Sequence, residues 1–335
     1  MTASQGTNPV SVSRSPLAAR RPPQHVDVSV LVPAKDEAEN LPLFMELAAA
    51  AFAGSPSYSY EVVVVDDGSV DATWSVLQAL ATKYSFLRLA RHRAKRGIAD
   101  ALRTGFLFAR ADVLVFYPAD LQFKPEDIPR LVEPILSGKA DMVTGFKEGK
   151  YEKAFVSGIY NALSRALFHV PVKDLNSVKA YRREVMESLP TRPDWHRYMV
   201  VMAAAQGFSV TEIPVPLYPR HAGKSKFATW HRIPIGMLDM LSVWFELRFG
   251  QKPLLLFGML GVGIVALSGV AGVILLLTNA GVRSIWQLIE TCLVLGSILF
   301  ATGLLGEQIA GQRAQLREIR RQLDELSAER IKDRE

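Results

Sequence analysis

The stretch Leu254–Thr278 carries no charged residue. As a helix it would be roughly 37 Å long at about 1.5 Å per residue, longer than the ~30 Å hydrocarbon core of a bilayer. In lipid such a run satisfies its own backbone; in water it would need apolar neighbours on every side. A second apolar run, Trp286–Gly306, follows after the short link Asn279–Ile285. It carries Glu290 near one end, and Glu307 lies just beyond it. Two spans so closely joined predict a transmembrane hairpin over 252–307. Lys and Arg crowd both outer flanks, in Arg220–Lys252 and Arg313–Arg321, while the link has one Arg. The positive-inside tendency then places both flanks, and with them both termini, in the cytoplasm. Residues 227–251 mix Trp, Leu, Met and Phe with Arg and His, the pattern of amphipathic helices lying in a membrane interface. Residues 308–335 are charged and helical in pattern. Ile309, Leu316 and Leu323 recur every seventh position, with Ile319 and Leu326 in a second row. A short coiled-coil seam and a solvated amphipathic helix both fit, so a homo-oligomer through the spans and this tail stays open.

The preceding residues are of another kind. Residues 1–25 are rich in Ser, Pro, Ala and Arg without an apolar core, and are expected to be a disordered tail rather than a secretory signal. From 26 to 226 short apolar runs alternate with helical patterns. Strands are predicted at Val26–Pro33, Glu61–Val65, Phe86–Ala90, Val113–Tyr117, Asp141–Phe146 and Phe208–Val215, and helices at 39–52, 72–83, 97–110 and 125–136. This alternation predicts an α/β domain with a mostly parallel, doubly wound sheet. Tyr151–Val170 and Trp195–Gln206 read as further helices, and Asp174–Arg183 as a polar cluster. The formal net charge of +6 would suit nucleic acid or an anionic membrane surface; the apolar runs favour the membrane and leave no need for nucleic acid. The single cysteine, Cys292, excludes an intrachain disulfide and a cysteine zinc cluster.

Chemistry concentrates at strand ends. Val62–Val65 are four β-branched residues in a row, as in a strand buried on both faces. Asp66 and Asp67 follow where it ends, Gly68 permits a sharp turn, and Ser69 or Asp71 can cap the next helix. An ordinary solvated βα turn fits this stretch as well as a ligand site does. Two further strand ends, Lys35-Asp36-Glu37 and Pro118-Ala119-Asp120-Leu121-Gln122, fall on the same predicted edge, where open α/β sheets bind ligands. Together they suggest a carboxylate-lined crevice suited to a sugar nucleotide whose diphosphate is bridged by a metal. Mg²⁺ needs only one or two protein carboxylates beside phosphates and waters, and Asp120 and Gln122 can share one ion.

Six segments in order, Val32–Leu41, Val65–Thr73, Gly97–Gly105, Ala119–Pro129, Lys173–Arg183 and Arg220–Lys226, resemble the inverting family 2 glycosyltransferases of the Rossmann-like GT-A fold. The match is closer to the polyprenyl-phosphate glycosyltransferases, the group of dolichyl-phosphate mannose synthase and the bacterial undecaprenyl-phosphate hexosyltransferases, which also have a membrane hairpin after the catalytic domain. The resemblance implies transfer of a hexose from a UDP- or GDP-linked donor to a polyprenyl phosphate, with Mg²⁺ or Mn²⁺. It implies that Pro33, Lys35, Glu37, Asp66, Asp67, Gly97, Asp120 and Arg197 bind the nucleotide sugar, Asp66 chiefly by shaping the turn. Asp120 and Gln122 would hold the metal. Lys153, Ser157, Arg220 and Lys226 would grip the lipid phosphate, and Asp174 and Asp120 would be the catalytic acids. The family usually has Asp-x-Asp where this chain has Pro118-Ala119-Asp120. Asp174 fits either an orienting role or a structural pairing with Lys179 or Arg182. His196-Arg197 fits a diphosphate contact or a surface pair. Two rivals remain: a processive polysaccharide synthase of the same fold, and a non-catalytic membrane scaffold.

Overall fold

The structure is a computed structural model and describes residues 26–54, 58–148, 163–165, 167–168, 170, 172–189, 195–222, 232–278 and 283–332. The N-terminal tail, Lys153, Ser157, Lys226 and most of the helix expected over 151–170 lie outside the described residues. The chain divides into two compact units at Lys226.

In the first unit β1 (Val28–Ala34), β2 (Tyr60–Asp66), β3 (Leu87–Arg91), β4 (Val113–Phe116), β5 (Met142–Glu148), β6 (Lys179–Arg182) and β7 (Val210–Pro216) form one sheet. Its order is β3-β2-β1-β4-β6-β5-β7. Only the β4–β6 and β5–β6 pairings are antiparallel; the others are parallel. Helices α1 (Leu41–Ala53), α2 (Thr73–Lys83), α3 (Ile98–Phe108) and α4 (Ile128–Leu136) link the parallel strands, giving the expected doubly wound domain. Val62–Val65 are buried on alternate faces because both faces are covered. Val62 and Val64 join Phe44 and Met45 of α1 and Leu131 and Ile135 of α4 in the main core. On the other face α3 lies close: a Cβ on Gly105 would sit 3.4 Å from Leu31 and 3.5 Å from Val65.

The chain runs outward from β1 to β2 and β3, then returns to place β4 on the other flank of β1. The carboxyl ends of β1 and β4 therefore flank the switch point, where such sheets open a crevice. At the opposite edge, buried Glu61 accepts bonds from Ser29 Oγ (2.6 Å), Arg110 N (2.7 Å) and Arg110 Nε (2.9 Å). Burial pushes its pKa up, but these donors outweigh that and hold it below the usual value.

Two expectations need correction. Part of the polar cluster over 174–183 is the strand β6: Val178 and Ala180 alternate with Lys179 and Tyr181, and all four are buried, so a strand buried on both faces carries a polar composition. The helix expected over Trp195–Gln206 is a 3₁₀ turn, Trp195–Arg197, followed by a short helix α6 (Met199–Ala205), with α5 (Arg183–Ser188) directly after β6.

The second unit contains α7 (Arg232–Phe249), α8 (Pro253–Thr278) and α9 (Arg283–Lys332). Met237, Leu238 and Leu241 of α7 are exposed, one to four positions apart and so on one side of the helix. α8 and α9 are long and apolar enough to cross a membrane, and only 17% of the most apolar window of each is buried, too little for core helices of a water-soluble body. Their packing rests on glycine. A Cβ on Gly261 would come within 2.5 Å of Gly296 O, and one on Gly296 within 2.8 Å of Gly261 O, so the backbones meet as in other small-residue helix pairs. Glu307 accepts from the Leu254 backbone N–H at 3.3 Å, satisfying one of the orphan donors at the start of α8. α9 is one helix of 50 residues; the boundary read at 307–308 changes its polarity and not its backbone.

Candidate active site

The turns after β1 and β2 are knitted together at the switch point. Lys35 Nζ donates to Gly68 O (2.7 Å), Asp36 N to Ser69 Oγ (2.8 Å), Val70 N to Asp36 Oδ1 (2.9 Å), and Glu37 N to Thr73 Oγ1 (2.8 Å). Asn40 donates to Glu37 Oε2 at 2.6 Å. Asp71 Oδ1 takes the Thr73 N–H at 3.0 Å, so Asp71 serves the start of α2 while Ser69 serves Asp36. Gly68 has φ 67°, and a Cβ there would lie 2.6 Å from the Ala94 carbonyl carbon; only glycine lets the turn rest on the loop after β3. Pro33 pairs in register with Val65, beneath these turns.

The two adjacent acids have separate partners. Asp66 is fully buried, accepts from Ser69 N (2.9 Å) and pairs with Arg91 Nε at 3.0 Å, as a shaper of the turn should. Asp67 is buried as well. Its Oδ1 meets His92 Nδ1 and Arg96 N, both at 2.8 Å, and its Oδ2 takes Gly97 N at 2.8 Å. His92 Nε2 in turn lies 2.9 Å from Thr104 Oγ1 of α3. Asp67 thus fixes the loop 92–97 and the entry to α3, with Gly97 at φ 101°.

After β4 the chain turns tightly through Leu121, a buried leucine at φ 57°, a conformation that L residues other than Asn and Asp rarely adopt. This strained turn carries Asp120 and Gln122. Asp120 Oδ1 accepts from Gln122 N at 3.2 Å. Asp120 Oδ2 lies 2.8 Å from Arg220 Nη2, which also reaches Gln122 Oε1 at 3.3 Å. Burial raises the Asp120 pKa, with Arg220 and the turn's backbone N–H groups opposing it. The carboxyl end of β5 and the amino end of the antiparallel β6 add a basic cluster. Asp174 is buried, with Oδ2 3.1 Å from Lys147 Nζ and Oδ1 accepting from Asn176 N at 2.9 Å. Lys179 is fully buried; its Nζ donates to Ser177 O at 2.7 Å and lies 5.9 Å from the Phe116 ring. Burial lowers its pKa to about 7, Asp174 raising it and Lys147 lowering it. His196 packs edge-on against Phe116. Burial, then Lys179 and Arg197, take it down to about 3, so its imidazole is neutral at physiological pH. Arg197 beside it is half-buried.

The structure therefore brings Asp120, Gln122 and Arg220 onto one point, and joins Lys35, Glu37, Asp66, Asp67 and Gly97 in one web of turns. Asp174 pairs with Lys147, which the sequence did not single out; Lys179 was read only as a possible partner of Asp174 and not as a buried lysine, and His92 was missed. For Lys179 the signal was the alternation around Val178 and Ala180. For His92 there was none, since its partner Asp67 is distant in sequence.

The Glycosyl transferase family 2 profile matches residues 29–169, and the chain carries a domain of that family. In class it is a glycosyltransferase. Its relatives narrow the group. A dodecaprenyl-phosphate galacturonate synthase of Rhizobium johnstonii is 28% identical over 304 residues, covering 86% of this chain and 89% of that protein. An undecaprenyl-phosphate 4-deoxy-4-formamido-L-arabinose transferase of Pseudomonas fluorescens is 28% identical, over 87% of this chain and 86% of that one. A dolichol-phosphate mannosyltransferase of Pyrococcus furiosus is 34% identical over 59% of this chain and 58% of its own length. Among solved structures, glucosyl-3-phosphoglycerate synthase from Mycobacterium tuberculosis, crystallised with Mn²⁺, UDP and phosphoglyceric acid, superposes with a TM-score of 0.53 at 18% identity, over 66% of this chain and 78% of that one. That likeness establishes the shared fold.

Proposed function

We propose that this glycosyltransferase moves a hexose, with inversion, from a UDP- or GDP-linked donor to a polyprenyl phosphate in the membrane. The observation that carries the reading is the joint match of catalytic domain and apolar hairpin, over more than four-fifths of the chain, to proteins named for transfer to polyprenyl phosphates. The exposed apolar side of α7 supports a helix that lies in the membrane interface. The basic flanks support a cytoplasmic catalytic domain and cytoplasmic termini.

The donor's nucleoside would lie against Pro33, Lys35, Glu37 and the loop that Asp67 holds, with Gly97 at the mouth of α3 and Arg197 nearby. Asp120 and Gln122 would hold Mg²⁺ or Mn²⁺. No cluster of three His, Cys, Asp or Glu suited to a metal occurs among the described residues. Yet one carboxylate and one amide oxygen already converge on a single cation, the Arg220 guanidinium, and such a pair suffices where phosphates and waters complete the shell. When bound, the ion supplies charge neutralisation for the departing diphosphate.

The acceptor is a phosphate monoester, whose second pKa is about 6. Its oxygen attacks the anomeric carbon as the bond to the diphosphate breaks, and the nucleoside diphosphate leaves. No proton need be removed. The geometry of Asp174 agrees: its two oxygens are engaged by Lys147 and Asn176 N, so it orients Lys147 and the acceptor rather than taking a proton. Lys153, Ser157, Arg220 and Lys226 would grip the lipid phosphate, and the spans and tail would serve any homo-oligomer. Radiolabelled transfer to polyprenyl phosphate from UDP- and GDP-sugars, with and without Mg²⁺ or Mn²⁺, tests the reading. Transfer that needs the lipid phosphate supports it; no transfer and no nucleotide binding with any donor ends it.

A further inference from the structure

Arg220 is the residue whose position its proposed role explains least. A side chain meant for a lipid phosphate is expected to lie open to the acceptor. Instead one of its nitrogens sits between Asp120 Oδ2 and Gln122 Oε1, at 2.8 and 3.3 Å, and only about a fifth of its side chain is exposed, 21%. The placement is built. Tyr218 N donates to Gln122 O at 2.9 Å, and Lys124 Nζ lies 4.5 Å from the centre of the Tyr218 ring. These contacts stitch the strand leaving β7 to the 120–124 turn two residues before Arg220. The turn itself holds buried Leu121 at φ 57°, a strained conformation that persists only where the surroundings dictate it. Pro118 leaves Asp120 as the only carboxylate between Tyr117 and Gln122, so one guanidinium balances one acid.

We infer that Arg220 is the resident cation of the metal site: it holds Asp120 and Gln122 in chelating position in the free enzyme, and it and a divalent ion exclude one another from Asp120 Oδ2. The inference rests on the metal and nucleotide reading proposed above. A dication and a guanidinium on one oxygen would repel strongly in so sheltered a place. A divalent ion alone must therefore displace Arg220 and leave it without its acid. A nucleoside diphosphate changes the balance, because its phosphate oxygens give the released fork a bidentate partner. Metal and nucleotide then favour each other's binding, and by linkage the enhancement is equal in both directions. A second acid in place of Pro118 would weaken this exclusion, so the departure from Asp-x-Asp and the position of Arg220 have one explanation.

The test is Mn²⁺ binding to the full-length protein in detergent, read by the electron paramagnetic resonance signal of free Mn²⁺, with and without UDP and with and without GDP. The wild type is compared with Arg220→Met, Arg220→Gln and Asp120→Ala, and circular dichroism establishes folding; Arg220→Gln serves if the methionine variant does not fold. Without nucleotide, Arg220→Met is expected to bind Mn²⁺ about tenfold tighter than the wild type, and to lose most of the nucleotide enhancement, a coupling typically of about 5–150-fold. Asp120→Ala is expected to lose Mn²⁺ binding in every condition. If the arginine variants bind Mn²⁺ and nucleotide as the wild type does, the exclusion is wrong while the proposed function stands. If folded wild type binds neither UDP nor GDP, the donor reading fails and the exclusion fails with it.

Discussion

Replacing Asp67 by Asn separates two roles for the second acid of the Asp66-Asp67 pair. The side chain keeps its shape and loses its charge and one acceptor. In the native arrangement Oδ1 meets His92 and the Arg96 N–H while Oδ2 takes the Gly97 N–H. With an amide, one of these faces an NH₂ group and goes unanswered. A hydrogen bond to a charged group contributes about 1.5–3 kcal/mol, and a buried donor left unpaired costs about 1–3 kcal/mol. Because the 92–97 loop can relax toward water, we take the net loss as about 3 kcal/mol. For a domain of this size each kcal/mol shifts the midpoint by about 2–4 °C, so Asp67→Asn should unfold roughly 6–12 °C below the wild type. The assay is thermal unfolding of the purified protein in detergent, alongside nucleotide affinity. A midpoint within about 2 °C of wild type with nucleotide affinity lost would refute the reasoning: Asp67 would then be a ligand contact, and the loop would be held by something else.

Three other outcomes are expected. Asp120→Ala should abolish sugar transfer while the chain stays folded; transfer near the wild-type rate would remove Asp120 from the metal role. Lys179 has its folded pKa lowered to about 7 from 10.5, so the unfolded chain binds more protons between those values and stability should rise with pH across that window. The midpoint of the wild type should therefore gain on that of Lys179→Met between pH 7 and pH 10, and parallel curves would show that Lys179 does not titrate there. Gly261→Ile should force α8 away from α9, since even a Cβ would come within 2.5 Å of Gly296 O. Overpacking of this kind costs about 1–3 kcal/mol, read as loss of a monodisperse peak in detergent; an unchanged peak would refute the close contact.

The sheet was legible because its central strands are buried on both faces, and a run such as Val62–Val65 has few alternatives. The hairpin was legible because lipid allows only self-satisfied backbone. β6 was hidden by Lys179, a charge on a strand position that the fold buries, contrary to the usual cost of burying one. The partnerships of the site were less legible than its members. Asp66, Asp67, Asp120 and Asp174 stood out by type and position, but their partners Arg91, His92, Arg220 and Lys147 come from other strand ends. Sequence spacing carries no record of a contact that topology creates. The continuity of α9 was not visible for a different reason: the change from apolar to charged residues after Gly306 alters what surrounds a helix, whereas its backbone hydrogen bonds continue as long as no proline interrupts them.

That continuity has a mechanical consequence. After Gly306, 26 residues of α9 run through Lys332, a rod of about 39 Å at the usual rise. Nothing in the backbone decouples it from the span. A change of tilt of about 10° in the bilayer, within the range that hydrophobic mismatch produces, would swing its far end by roughly 7 Å. A continuous helix would therefore carry any change of tilt in the span to a point well beyond it, and a glycine pair inserted after Gly306 would uncouple the two.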